Sequence, residues 1–434
     1  MTDSDGRDLQ AHLIEQDGLG WRHREEMKLL DVIALCLTTG QSHDIVAVAF
    51  DKRHILTIAL SKNHATSVAD REQASLFFNA LSDPNNNRPI DIIAVIATYS
   101  GMNMNKRVRK VAESLNNART HITALLDQYN AGSRDTEFHP RDPVLSFELD
   151  VRESLQRALD KFSFSVKDFD INGPGGRLDP IMMFVAASQA AYYLMKTRFI
   201  QSEAEKPTGL PSFQTFQRRL AKLAQYSRGI RRLFTYRDRL SGQIPPFRWI
   251  DFPLDDPRSV KISQSPLDVA FRVMEINPAS TEYGDLFWQC YPVPIEHWIT
   301  TVTPTFHAEM RLILSLDSNQ ESIDSVRPIG CSKRSCLCCW HWINFYNVAH
   351  GTQWMTASSH GKPYMNWGLS GDILVDREVV AAMRLRVCDV LEWMKGWKRL
   401  PSDGHASSSG SSPYPEDQEG EIDIELEALY AGGD

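Results

Sequence analysis

Residues 44–50 and 54–60 are two short runs of β-branched and small apolar side chains separated by Asp51-Lys52-Arg53, a pattern that predicts two paired strands joined by a polar turn. Residues 26–36 read as a helix leading into them. From 65 to 290 the pattern turns helical, most clearly over 108–126, 151–162, 180–200 and 213–240, with breaks such as Asn172-Gly173-Pro174-Gly175-Gly176. Within it, the run from Ile181 to Met195 is apolar nearly all round, contains Ser188 and Gln189, and is too short to span a bilayer; it predicts a buried central helix.

The pattern changes again after residue 290. Residues 298–303 suit a single strand, and Pro304-Thr305 supplies a break and an N-cap for a helix over 306–314 with an apolar stripe at Met310, Ile313 and Leu314. A polar stretch over 317–325 precedes a short strand at 326–330. Ser335 is then the expected cap of a helix running through Trp340, Trp342, Ile343 and Phe345, and residues 353–357 suit a further strand.

Composition narrows the class. With 434 residues, 42% hydrophobic and 24% charged, the chain can bury a sizeable core, as two closely associated domains. The opening Met1-Thr2-Asp3-Ser4-Asp5-Gly6 is polar and acidic, the opposite of a secretory or mitochondrial leader, and no run is apolar enough for a membrane. The formal charge of -8 is concentrated at the C-terminus, where nine acids and no Lys or Arg follow Pro401, so the remainder is near neutral. That end, with Ile422, Ile424, Leu426 and Leu429 interspersed, fits either a disordered solubilising tail or a docking segment for a partner.

Four of the seven cysteines fall between 331 and 339, an odd-numbered, clustered usage that points to metal binding in a reducing compartment, cytosol or nucleus, rather than to a disulfide framework. Ahead of them stands His307-Ala308-Glu309. One imidazole and two thiolates can hold Zn²⁺ with a fourth position left for water, and a carboxylate two residues past the His is placed to move protons. A bare His-x-Glu carries little information, since His23-Arg24-Glu25 also fits with no cysteine near it; the order and spacing carry the weight. Cys336 and Cys339 share one face at a helix N-terminus, where unpaired amides favour thiolate. A closed Cys₄ site of Cys331, Cys336, Cys338 and Cys339 is the structural alternative; it leaves His307 and Glu309 unused, and adjacent Cys338 and Cys339 do not readily reach one ion.

The segment from about 290 to 376 resembles the zinc half of the cytidine deaminase superfamily. Within it, residues 329–339, with His360-Gly361-Lys362 and Trp367 downstream, are similar to the OTT-type deaminase-like family of fungi and bacteria. The resemblance implies His307, Cys336 and Cys339 as Zn²⁺ ligands, Glu309 as proton shuttle, and hydrolytic deamination of a nucleobase, nucleoside or nucleic acid. A catalytically inactive binding protein on the same fold, or a structural zinc module, are its alternatives. Where such deaminases usually carry Pro before the first Cys this chain has Ser335, and either residue can start a helix.

The implied fold class is α/β: a deaminase-like three-layer α/β/α core split by a large all-helical insertion. The expected organisation is a flexible N-terminus at 1–19, a first core part at 20–64, the insertion at 65–290, a zinc-binding core part at 291–400, and an acidic tail at 401–434. Asn63 matches a position where deaminases often carry a substrate-contacting Asn, and His360 is a second candidate for orienting the ring. Many relatives assemble, so an oligomer is compatible, and no membrane partner is expected. One surface of the insertion stands apart. Residues 218–239 hold Arg228, Arg231, Arg232 and five other basic residues with Tyr226, Phe234 and Tyr236 interleaved, which suits either single-stranded nucleic acid or a solvated helix face with its aromatics turned inward.

Overall fold

A computed structural model describes residues 21–138, 150–167, 169–172, 178–205, 211–240, 242–251, 259–275, 300–317 and 326–398. The expected N-terminal flexible stretch and the acidic tail lie outside these residues. Along the chain the elements are α1 (Trp21–Leu37), β1 (Val46–Asp51), β2 (Thr57–Lys62), α2 (Val68–Ser82), α3 (Pro89–Gln128), α4 (Arg134–Glu137), α5 (Val151–Val166), α6 (Leu178–Lys196), α7 (Arg198–Glu205) and α8 (Pro211–Arg239). They continue with β3 (Phe247–Trp249), β4 (Val260–Ile262), α9 (Pro266–Val273), β5 (Thr300–Val302), α10 (Ala308–Asp317), β6 (Arg327–Cys331), α11 (Leu337–His350), β7 (Trp354–Thr356) and α12 (Ile373–Lys398).

The described residues divide into two compact units, one built from residues up to Asn103 and from Gly229 onward, the other from Met104 to Arg228. The first holds a five-stranded sheet in the order β3-β2-β1-β6-β7. β1 and β2 form the expected antiparallel hairpin, with Val46 opposite Lys62 and Asp51 opposite Thr57. The second strand begins later than its apolar run suggests: the Asp51 carboxylate binds Arg53 Nε (2.8 Å) and Arg248 Nη2 (3.0 Å), which keeps Asp51 in the strand and lengthens the turn. β6 pairs antiparallel to β1, Ala47 opposite Cys331, so the N-terminal hairpin and the cysteine-bearing segment are neighbours in one sheet. β7 runs parallel to β6, and β3 parallel to β2.

Both faces of this sheet are covered. Along β1, Ala47 and Ala49 join a cluster with Ala308, Met310, Leu312 and Ile313 of α10 and Trp342 and Ile343 of α11. The opposite face receives α1 at very close range: a Cβ on Gly330 would stand 2.1 Å from the Leu30 carbonyl carbon and 2.2 Å from Asp31 N. Only glycine permits helix backbone to rest on strand backbone there. Asp31 Oδ1 then accepts from Cys331 N (2.8 Å), fixing α1 along β6.

The region between 65 and 290 is not all helical. β3 lies in the central sheet, while β4 pairs with β5 in a separate two-stranded sheet, Val260 opposite Val302. Three-residue strands are too short to establish a period, which is why the pattern concealed them. The strand immediately upstream of His307 therefore forms, but outside the central sheet.

The second unit is helical. Phe184 packs edge-on to Tyr226 (5.0 Å between ring centres) and Phe199 to Phe213 (5.9 Å). α6 buries one face rather than its whole circumference: Ile181, Phe184 and Ala187 are buried while Met182 and Met183 are exposed. Ser188, polar on the buried face, is satisfied by donating to Leu223 O (2.8 Å) and accepting from Ser227 N (3.0 Å). Among the described residues no helix is long and apolar enough to cross a membrane.

Candidate metal centre

His307 immediately precedes α10, and its carbonyl accepts the first helical bond, from Arg311 N (3.1 Å). Thr305 does not cap this helix. Its backbone is paired with the 366–368 segment, through Thr305 N to Asn366 O (2.7 Å) and Gly368 N to Thr305 O (3.0 Å). A side chain from the hairpin takes the capping role: Asn63 Oδ1, buried just past β2, accepts from Ala308 N (2.8 Å).

The helix that carries Cys339 also starts differently from expectation. Cys336, not Ser335, is the N-cap of α11, its sulfur accepting from Cys339 N (3.3 Å). Ser335 stays extended and bridges to the chain at 358–360, donating N–H to Ser358 O (3.2 Å) and accepting from His360 N (3.1 Å). A proline could not make the first of these bonds.

The two helix starts bring His307 Nδ1 to 3.4 Å from Cys336 Sγ and 3.2 Å from Cys339 Sγ. All three residues are buried, with their ligand atoms within 4.8 Å of one another. A tetrahedral zinc at ordinary bond lengths separates sulfur from nitrogen by roughly 3.5 Å, so both sulfur–nitrogen distances here are close to what that ion takes. Cys331 and Cys338 lie outside the cluster; Cys338 Sγ instead meets Met383 Sδ (3.5 Å). Among the described residues the donor cluster thus consists of His307, Cys336 and Cys339, without the other two cysteines of the 331–339 stretch.

Burial dominates the electrostatics. It pushes the Cys339 thiol up to about 11 and the Cys336 thiol well above its usual range, so bare thiolates are disfavoured unless a cation shares the site. It lowers His307 to about 4, with His43, His360 and Arg311 adding to the effect, and this leaves the imidazole in its neutral, ligating form. Burial also raises Glu309, against the opposing influence of its own amide and of Ser335. Glu309 Oε2, Ser335 Oγ and Trp367 Nε1 are buried without a hydrogen-bond partner; the Ser335 hydroxyl lies beside the carboxylate but outside bonding geometry. Unpaired buried groups converging on a donor cluster mark a site built to hold something more.

Around this centre, Tyr364 stands edge-on between two imidazoles, its ring centre 5.7 Å from His307 and 5.5 Å from His360. His360 is half-buried and its Nδ1 accepts from Lys362 N (3.1 Å). Arg311, which sequence reasoning did not single out, ties the hairpin exit to the helix start by donating to Phe306 O (3.1 Å) and His64 O (3.0 Å). Lys62, just before Asn63, is buried between Asp44 and Asp70 (2.7 Å to the latter). Neither Arg311 nor Lys62 had a visible signal, because each looks like an ordinary surface charge until its partners are known.

Several side chains of the basic stretch are engaged by partners within the protein. Tyr226 and Phe234 are buried, Arg228 lies over the Tyr192 ring (5.9 Å), Arg232 pairs with Glu25 (3.7 Å), and Arg231 is exposed. Arg237, buried, donates to the carbonyls of Leu81, Asp83 and Asn86 at the end of α2.

The donor cluster lies inside a deaminase-like segment. Residues 306–370 match the model of the family described as OTT_1508-like deaminase, a stretch that contains all three candidate ligands, Glu309, Ser335 and Trp367. No curated protein and no solved structure matches the chain.

Proposed function

We propose that this protein is a zinc-dependent hydrolytic deaminase acting on a nucleobase, either free, in a nucleoside or within a nucleic acid. The observation that carries the reading is the buried carboxylate of Glu309, whose Oε2 has no hydrogen-bond partner, beside the His307, Cys336 and Cys339 donor set. These three residues would hold Zn²⁺, whose Lewis acidity makes water nucleophilic near neutral pH.

Glu309 supplies the proton chemistry. Burial raises its proton affinity, which suits a group that accepts a proton from the attacking water, returns it to the ring nitrogen, and then serves the departing amine. The net change replaces an amino group with oxygen and releases ammonia. Asn63 holds the His307–Glu309 segment by its side-chain oxygen, and its amide nitrogen and His360, across Tyr364, would orient the ring. Reduced thiols at the centre suit the cytosol or nucleus.

The test is metal content of the purified chain, wild type beside Cys336→Ser, with ammonia release measured on cytidine, adenosine and single-stranded nucleic acid. One zinc per chain, lost in the variant, and turnover abolished by Glu309→Ala support the enzyme. Zinc with no turnover on any nucleobase substrate points instead to a binding protein. Binding of RNA and single-stranded DNA that is unchanged by charge reversal at Arg231 and Arg232 would remove those side chains from the substrate surface.

A further inference from the structure

The chain from 359 to 368 is tied to the starts of both ligand-bearing helices. At one end Ser359 bridges Ser335, and Leu337 N in the first turn of α11 donates to Lys362 O (2.9 Å). At the other, Trp367 bridges Thr305, two residues before His307, and Gly368 is packed so closely that an added Cβ would touch Pro304 Cβ and Thr305 at 3.4 Å. Trp367 is thereby pinned, and its ring packs against the cluster that contains Cys336 and Cys339.

Its indole N–H is buried with no acceptor in bonding geometry, and the sulfur beside it is that of Cys339. A buried donor left unpaired costs about 1–3 kcal/mol. A neutral thiol is a weak acceptor, whereas a metal-held thiolate is a strong one. The other ligand sulfur already has its donor, the Cys339 amide on Cys336.

We propose that Trp367 is a positioning residue of the metal centre, its indole N–H donating to the Cys339 sulfur when the ion is held and so strengthening retention of the metal. The proposal rests on the zinc reading above. Groups that orient a ligand and draw charge from it commonly change metal affinity by tenfold or more.

The experiment is a Co²⁺ titration of the full, chelator-treated and reduced chain, followed by the sulfur-to-cobalt charge-transfer absorption, in wild type and Trp367→Phe, with circular dichroism as the check on folding. The expected result is a shifted charge-transfer band and affinity weaker by about tenfold in the variant. Replacing the Trp367 indole with benzothiophene, which keeps the bicyclic shape and removes only the N–H, should reproduce both changes and guards against a packing defect in the Phe variant. Identical spectra and affinity in wild type and the benzothiophene protein would overturn the proposal while leaving the metal centre standing. A wild-type chain that takes up no Co²⁺ would overturn the zinc reading itself, and the proposal with it.

Discussion

Asn63 accepts the amide of Ala308 across 245 residues of sequence, and that one bond places the hairpin exit against the helix start that carries His307 and Glu309. Replacing Asn63 by Ala removes the only side-chain acceptor found at that amide among the described residues, and should cost about 1–2 kcal/mol of stability together with some metal affinity. Asn63→Asp keeps the acceptor and loses the amide donors. Denaturant unfolding and zinc titration should therefore rank Asp between wild type and Ala, whereas a ring contact through the amide would show as lost turnover in both.

Glu309 is expected to weaken the fold it serves. Its pKa is raised, so the protonated form is the one the native state favours, and that contribution to stability is lost as pH rises through the folded value. Glu309→Gln keeps the shape and removes the charge. In metal-free protein at neutral pH the variant should be more stable than wild type by about 1–3 kcal/mol, while deamination disappears. Equal unfolding midpoints would show that the carboxylate finds a partner in solution.

Asp31, which is not part of the donor cluster, offers a second pH signature. Burial, only partly offset by the bond from Cys331 N, raises it to about 7, so it stabilises the fold fully below the unfolded carboxylate range and progressively less as pH climbs through neutrality. Asp31→Asn preserves the acceptor for Cys331 N. Its stability advantage over wild type should grow between about pH 5 and pH 8 to the order of 2–4 kcal/mol. A difference that stays flat across that range would mean Asp31 titrates normally.

Gly330→Ala should be among the most damaging conservative changes in the chain, because the new methyl group meets backbone at 2.1 Å rather than a side chain that can swing away. A loss of about 3 kcal/mol or more is expected from thermal unfolding, with α1 displaced from β6.

Why some of this was legible in the sequence and some was not follows from the range of each interaction. The clustering of His307, Cys336 and Cys339 was legible because a zinc site would demand those residue types, and because a helix start fixes Cys336 and Cys339 one turn apart. The β1–β2 hairpin was visible from composition alone, since both faces of its strands are buried and leave an apolar run. The caps were misplaced: Thr305 and Ser335 have the right hydroxyls, yet both are committed to bridges with residues more than twenty positions away, and a cysteine and a distant asparagine cap instead. Short strands such as β3 are stabilised by the neighbour they join, β2, and not by any pattern of their own.

The pairing of β1 with β6 also constrains how the protein is made. Ala47 must wait for a partner, Cys331, that leaves the ribosome about 280 residues later. At roughly 5–20 residues per second, that is on the order of 15–60 s during which one edge of the hairpin is exposed beside a nascent chain. An apolar strand with an open edge is a template for the wrong partner. The helical unit is synthesised entirely within that interval, so the yield of correctly folded chain should depend on translation speed and on chaperones that shield strand edges, more than on the strength of any contact in the finished molecule.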